Sequence, residues 1–198
     1  MAALVLASGS PTRAALLQNA GVEFYIDAAH IDEVAIRESV RAQDGDAAAA
    51  AVALAHEKAV QVSGRHPDVL VIGADQILDC QGDWFDKPVN IKHARDDLLA
   101  LRGRRHRQFS AVSVVCDGES LWRHVEAAHL TMRNFSDAFL DDHLAAVGDS
   151  VLTSAGAYQL EGLGAQLFSA IEGDYFTVLG LPLLPLLGFL RQRGAIGR

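Results

Sequence analysis

The chain has 198 residues, half of them hydrophobic, and a formal net charge of −8. This length suits one large domain or two small lobes with a substantial core. The acidic balance argues against a nucleic-acid partner, because proteins that bind a phosphate backbone carry a basic surface. It leaves a nucleotide ligand open, since a few Lys and Arg side chains in one site can bind a triphosphate.

Cys80 and Cys116 have no paired spacing, which argues against a disulfide framework or a thiolate zinc site. They favour a reducing compartment, and the N-terminal apolar run is too short for a signal peptide, so we predict a cytoplasmic protein. The apolar segment 179–190 contains two prolines and is short for a bilayer. It predicts a buried helix, not a membrane span.

In the first part of the chain, short apolar runs alternate with helical patterns, which predicts an α/β fold. Ser10 is a candidate helix N-cap, with Pro11 at the first helical position. We expect strands at 4–6, 24–26 and 69–72 and helices at 14–20 and 46–62.

The second part of the chain continues the alternation. A hairpin turn is predicted at 81–83 and a strand turn at Asp117-Gly118. A glycine-rich segment covers 154–164. The remaining predicted elements are helices at 91–101 and 135–146, strands at 109–116, 121–130, 166–171 and 175–179, and a C-terminal helix.

The first candidate site is the turn from Ser8 through Ser10 to Arg13, between the first strand and the first helix. A helix N-terminus exposes free N–H groups and the positive end of the helix dipole, and an Arg fork suits phosphate. The alternative is an ordinary capped helix with a solvated Arg.

Carboxylates suggest a second candidate. Asp32 and Glu33 follow the predicted strand at 24–26 and could hold a divalent cation, although adjacent acids on a loop are usually solvated. Asp75 is predicted to lie at the C-terminal end of the strand at 69–72, where α/β folds place ligand sites. The alternative for Asp75 is the capping of a neighbouring turn.

Two lysines and one glutamate complete the candidates. Lys58 lies on the alanine-rich helix and Lys87 precedes Pro88, and each taken alone is typical of a surface lysine. Glu161 lies in the segment 154–164, whose glycines allow the backbone to approach a ligand closely. This segment is either a base-contacting loop or simply a tight connection.

The order of these motifs along the chain is more specific than any one of them. Leu6-Ala7-Ser8-Gly9-Ser10-Pro11, followed by Arg13, resembles the N-terminal signature of the Maf family of nucleoside triphosphate pyrophosphatases. The resemblance continues, over essentially the full chain, through Asp32-Glu33, Glu57-Lys58-Ala59, Gly73-Ala74-Asp75, Lys87-Pro88, Gly103, His106, Ala155-Gly156-Ala157-Tyr158, Glu161-Gly162, Gly173-Asp174-Tyr175 and Gly180-Leu181-Pro182-Leu183.

The resemblance implies a single domain over residues 1–198, with a mixed central sheet flanked by helices and two lobes separated by a deep cleft. It implies hydrolysis between the α- and β-phosphates with Mg²⁺ or Mn²⁺, and a possible homodimer. The acidic charge and the short apolar segment at 179–190 predict no nucleic-acid or membrane partner. Asp75 would be the general base or would position metal and water. Glu33 would help to hold the metal, and Lys58 would complete the catalytic group. The triphosphate would be bound by Ser8, Ser10, Arg13, Lys58 and Lys87.

Three positions depart from the commonest family pattern and suggest a base specificity. Gln76 and Glu161 resemble the subgroup that prefers 7-methyl-GTP, whereas Thr12 stands where that subgroup often has an aromatic residue. A carboxylate can accept hydrogen bonds from guanine N1–H and its 2-amino group, and it complements the positive charge of an N7-methylated ring. The alternatives are a dTTP or UTP pyrophosphatase, and a regulatory nucleotide-binding protein that acts in arrest of cell division and septum formation.

Overall fold

The computed structural model describes residues 3–197, which form two compact units. The first unit contains the residues up to Gln76, Phe109–Ala127 and the residues from Asp174 onward. The second unit contains Ile77–Gln108 and Ala128–Gly173. The predicted single domain over 1–198 stays a prediction.

Strands and helices alternate along the chain as expected. The strands are β1 (Leu4–Leu6), β2 (Tyr25–Ile26), β3 (Leu70–Cys80), β4 (Asp83–Phe85), β5 (Arg105–Cys116), β6 (Glu119–Met132) and β7 (Phe168–Glu172). The α-helices are α1 (Pro11–Asn19), α2 (Glu33–Ala42), α3 (Ala47–Ser63), α4 (Ile91–Leu101), α5 (Asp137–Val147), α6 (Tyr175–Val178) and α7 (Leu183–Gln192). Short 3₁₀ segments follow α5 at Gly148–Thr153, Ala155–Ala157 and Leu163–Leu167.

The strands form one mixed sheet in the order β2-β1-β3-β5-β6-β7, with β4 paired to β3. Strand β1 runs parallel to both β2 and β3. The β3–β4 and β6–β7 pairs are antiparallel. The predicted α/β class with a mixed, helix-flanked sheet is therefore confirmed.

In the first unit, β1 is buried on both faces. Leu4 and Leu6 belong to one apolar cluster, which includes residues of α1 and α7. Val5 points to the other face and joins a second cluster with Ala59 and Val62 of α3. A strand covered by helices on both faces must be apolar at consecutive positions, which explains the run Leu-Val-Leu.

Two sequence predictions about local structure were wrong. Residues 175–179 were expected to form a strand, but they form the short helix α6, because the Asp174 side chain accepts a hydrogen bond from Thr177 N at 3.1 Å and caps it. Asp32 and Glu33 were expected on a loop. Asp32 instead caps α2, with Ala35 N donating at 3.0 Å, and Glu33 is the first residue of that helix.

Strand β3 is longer than predicted, and this changes the position of Asp75. The strand was expected to end at Gly73-Ala74-Asp75, with Asp75 at its C-terminal end. It continues to Cys80 instead, with Ile77 and Leu78 buried, so Asp75 lies in the middle of the strand. A polar residue inside an apolar pattern resembles a strand end until the partner of that residue is known.

The apolar C-terminal segment forms α7, whose leucines are largely buried, as predicted. Across residues 3–197, no helix combines the length and the apolar character that crossing a membrane requires. The cytoplasmic location stays a prediction.

Candidate active site

The turn between β1 and α1 is built by two serines. Ser10 has an extended backbone and accepts a hydrogen bond from Arg13 N at 3.3 Å, so it is the predicted N-cap of α1. Ser10 N donates to Ser8 Oγ at 3.3 Å. Pro11 has no N–H, and the N–H of Arg13 is capped by Ser10. The N–H of Thr12 is therefore the hydrogen-bond donor that the first turn offers to a ligand.

The guanidinium of Arg13 is held in one orientation by three hydrogen bonds. Nε donates to Gly180 O at 2.8 Å, and Nη1 donates to Ala74 O at 2.9 Å and to Ser8 Oγ at 3.1 Å. Desolvation lowers the pKa of Arg13, although the nearby carboxylates of Asp75 and Glu33 oppose that shift. Five N–H donors are available on a guanidinium, so the two on Nη2 remain for an anionic ligand.

Gly73 brings helix α3 close to strand β3. A Cβ at this position would collide with Ala55 O and would lie 2.8 Å from Ala59 N. The backbone of the helix therefore packs directly on the strand, which only a glycine allows. Lys58, between those two alanines, is brought within reach of Asp75, two residues along the strand.

Lys58 joins two carboxylates. Its Nζ lies 2.5 Å from Asp75 Oδ1 and 2.7 Å from Glu33 Oε1, and its surface is only 9% exposed. Glu33 Oε2 also contacts Arg37 at 3.3 Å. Partial burial would raise the pKa of Glu33, but Lys58 and Arg37 outweigh it and hold that pKa below its ordinary value. The three predicted catalytic residues thus meet at Lys58, which contacts both Glu33 and Asp75.

We expect Gly73→Ala to disrupt this contact. The added methyl group must push α3 away from β3, so we expect a loss of at least about 1–3 kcal/mol in the free energy of unfolding and a large loss of activity. Urea unfolding and turnover measure the two effects. Gly188→Ala is the control, because nothing lies within 4 Å of its added Cβ. If Gly73→Ala behaved like Gly188→Ala, the close approach would not be needed.

Gln76 and Thr12, two of the residues predicted to read the base, also lie in the first unit. Thr12 is the second residue of α1 and is partly exposed. The amide Nε2 of Gln76 donates to Ser110 Oγ at 3.0 Å, to Thr177 O at 3.1 Å and to Val178 O at 2.9 Å. That amide nitrogen is therefore committed to protein acceptors.

Lys87 and Glu161 belong to the second unit. Both side chains are exposed, and neither makes a hydrogen bond or an ion pair with the residues that the structure describes. The segment that carries Glu161 is anchored by buried Tyr158, whose hydroxyl accepts from Gln108 Nε2 at 2.7 Å and lies 2.8 Å from His106 Nε2. Burial lowers the pKa of His106 to about 4, so this ring is neutral.

The model of the family described as "Maf-like protein" matches residues 3–193. The chain belongs to the Maf-like family. This Maf-like chain is 56% identical over 192 residues to a nucleoside triphosphate pyrophosphatase of Paramagnetospirillum magneticum, covering 97% of this chain and 99% of that protein.

Two further relatives of the Maf-like chain carry related names. A nucleoside triphosphate pyrophosphatase of Granulibacter bethesdensis is 50% identical, with 98% of both chains covered. A 7-methyl-GTP pyrophosphatase of Rhizobium meliloti is 51% identical, with 98% of this chain and 97% of that protein covered. These names agree with the activity that the resemblance implied.

Sequence reasoning missed the acceptors that orient Arg13 in this Maf-like protein. Two of them are backbone carbonyls, at Ala74 and Gly180, which carry no side-chain signal. The sequence signal at this place was the glycine at position 180, because glycine is common where φ is positive. The structure gives Gly180 a φ of +98°. Arg37, the second partner of Glu33, was missed because α2 was not predicted, and its i,i+4 spacing is visible only once the helix is known.

Glu33 and Asp75 in the Maf-like site suit a divalent cation whose other ligands are water and phosphate oxygens. No cluster of three or more His, Cys, Asp or Glu side chains able to hold a metal exists within residues 3–197. Lys58 contacts Asp75 at Oδ1, and no described group donates to Oδ2. Two carboxylates with water and phosphate oxygens are a usual ligand set for Mg²⁺ in nucleotide enzymes.

Proposed function

We propose that this protein hydrolyses a nucleoside triphosphate to the monophosphate and pyrophosphate, with 7-methyl-GTP as its substrate. The observation that carries the proposal is the contact of Lys58 with both Glu33 and Asp75, beside an Arg13 that is already oriented. It places two cations and two carboxylates in one unit. The names of relatives that are about half identical over the full chain support the reaction class.

In the proposed reaction, Arg13 binds the phosphates through its free Nη2 donors. The Thr12 N–H and the hydroxyls of Ser8 and Ser10 add donors at the helix N-terminus. Preorganised donors of this kind stabilise the charge that develops in phosphoryl transfer without having to reorient. Lys87 stays a predicted phosphate ligand.

Asp75 is the proposed general base. Oδ1 is held by Lys58, which leaves Oδ2 to accept a proton from the attacking water. The contact with Lys58 holds this carboxylate in place. The water attacks the α-phosphorus. The bond from this atom to the α–β bridging oxygen breaks, and pyrophosphate leaves with that oxygen.

Glu33 and Asp75 are the residues that would hold Mg²⁺ or Mn²⁺. When bound, the cation neutralises phosphate charge and polarises the P–O bonds. Lys58 already contacts both carboxylates, so the metal ion is not needed to bring them together.

The test is release of pyrophosphate, with Mg²⁺ or Mn²⁺, from 7-methyl-GTP, GTP, dTTP, UTP, CTP and ATP. We expect 7-methyl-GTP to be turned over fastest. A preference for dTTP or UTP would keep the reaction and overturn the substrate. Absence of turnover with folded, metal-supplied protein would overturn the enzyme and favour the regulatory nucleotide-binding protein.

Glu161→Gln should lower the preference for 7-methyl-GTP over dTTP by roughly tenfold, since a hydrogen bond to a charged group contributes about 1.5–3 kcal/mol. The reason is that an amide lacks the charge that attracts a cationic base. Competition assays with both nucleotides measure the ratio. Glu172→Gln is the matched control, because this exposed glutamate of the same unit pairs with Arg105 instead. An unchanged ratio in Glu161→Gln would remove Glu161 from base recognition.

A further inference from the structure

The Gln76 amide holds the C-terminal end of helix α6. Its Nε2 donates to the carbonyls of Thr177 and Val178, which are among the last carbonyls of α6. Thr177 O also accepts from Gly180 N at 3.1 Å, which ties the end of the helix to the following turn. Ser110, on β5, strengthens the arrangement: its hydroxyl accepts from Gln76 and donates to Thr177 O at 2.6 Å. Gln76 and Ser110 thus act together as a clamp on residues 177–178.

The same turn continues directly to the acceptor that orients Arg13. Gly180 follows Val178 by two residues, and its carbonyl accepts from Arg13 Nε at 2.8 Å. A Cβ on Gly180 would lie 3.5 Å from Gln76 Oε1 and 3.6 Å from Arg13 Nε. Gly180 is therefore packed against both side chains at once, and a shift of the turn must move the Arg13 acceptor.

We propose that Gln76 is a positioning residue for Arg13, acting through the turn at 177–180. It determines where Gly180 O lies, and Gly180 O determines the orientation of the guanidinium that binds phosphate. The consequence is that Gln76 affects all nucleoside triphosphates alike, because the triphosphate is common to them. The inference rests on the proposed function for its effect on turnover, but not for its effect on Arg13.

Loss of the clamp should displace the turn without unfolding the unit. Thr177 also has a second anchor, since its Oγ1 donates to Glu126 Oε2 at 2.8 Å. The Asp174 cap is likewise independent of Gln76. The remaining contacts keep α6 in place, since Ser110 and Gly180 N still donate to Thr177 O. Val178 O loses its Gln76 donor and turns towards another partner.

The decisive variant is Gln76→Met, which keeps the approximate length of the side chain and removes its donors. The first readout is the ¹⁵N-edited NMR signal of Arg13 Nε–H, identified by its loss in Arg13→Lys. We expect this signal to shift and its exchange with solvent to accelerate at least about tenfold as the bond to Gly180 O weakens. The second readout is binding of inorganic tripolyphosphate, which has no base, and we expect its Kd to rise roughly tenfold.

Turnover gives the third readout. In Gln76→Met, kcat/KM for 7-methyl-GTP, GTP and dTTP should fall by the same factor, and the variant should have little further effect in an Arg13→Ala background. Gln61→Met is the matched control, since it removes another glutamine of the same unit, whose amide donates to His30 O at 2.7 Å and not to this turn. Ser110→Ala removes the other half of the clamp and should shift the Arg13 signal in the same direction. This variant replaces Gln76→Met in the test if Gln76→Met does not fold.

An altered ratio between nucleotides, with the Arg13 Nε–H signal and the tripolyphosphate Kd unchanged, would overturn the inference and assign Gln76 to base recognition. If no nucleotide were hydrolysed, the proposed function would fail. The NMR signal and tripolyphosphate binding would still decide the role of Gln76 in that case, because neither depends on turnover.

Discussion

Asp75→Asn should reduce kcat/KM by roughly 10²–10⁴-fold, the range that a positioned general base contributes. An amide cannot accept the proton of the attacking water, and it is a poor ligand for a divalent cation. The fold should persist, because Lys58 keeps its contact with Glu33 at 2.7 Å. Steady-state release of pyrophosphate measures the loss, and urea unfolding confirms that the protein is folded.

The same strand offers a control for Asp75→Asn. Asp79 is also buried on β3 and also pairs with a cation, Arg107, at 2.9 Å. Asp79→Asn therefore removes a comparable carboxylate outside the proposed site and should leave turnover close to that of the original protein. If Asp75→Asn retained activity within about tenfold of the original, Asp75 would not be the base.

Lys58→Met should be the most destabilising single change in the site. It leaves the carboxylates of Glu33 and Asp75 facing each other without the ammonium group that now joins them. Breaking a buried ion pair by removing one partner costs about 3–5 kcal/mol, because the remaining charge stays desolvated. We expect that loss in the free energy of unfolding by urea, together with a loss of turnover.

Two comparisons show whether charge is the cause. Lys92→Met replaces an exposed lysine of α4 and should change the free energy of unfolding by less than about 0.5 kcal/mol. The double variant Lys58→Met with Asp75→Asn should recover part of the stability lost in Lys58→Met, because one of the two facing charges is gone. Additive losses in the double variant would contradict the charge explanation.

Much of the fold and of the site could be predicted from local sequence. The caps and periodicity of α1 and α3 are properties of consecutive residues, so Ser10, Pro11 and the alanine-rich helix could be assigned before the structure was known. The apolar run at 4–6 predicted a strand, which the structure confirms as β1. The order of short motifs predicted the family, which the match over residues 3–193 confirms.

Local sequence was insufficient where a single contact decides the local structure. The apolar content of residues 175–179 suits a strand, and the cap from Asp174 makes the segment helical. Asp75 looked like a strand end because a carboxylate inside a buried strand is costly unless it has a partner. That partner, Lys58, is 17 residues away in sequence.

The sequence alone therefore determined the fold class, the family and the residue types of the site. The tertiary structure decided which of those residues act together. Lys58 reaches Asp75 because Gly73 admits the backbone of α3, and Arg13 is oriented by Gly180 O, which lies 167 residues away along the chain. It also decided that the Nε2 of Gln76 donates to the protein. The physical reason is that periodicity and capping depend on neighbours in sequence, whereas these hydrogen bonds and ion pairs depend on packing between distant segments.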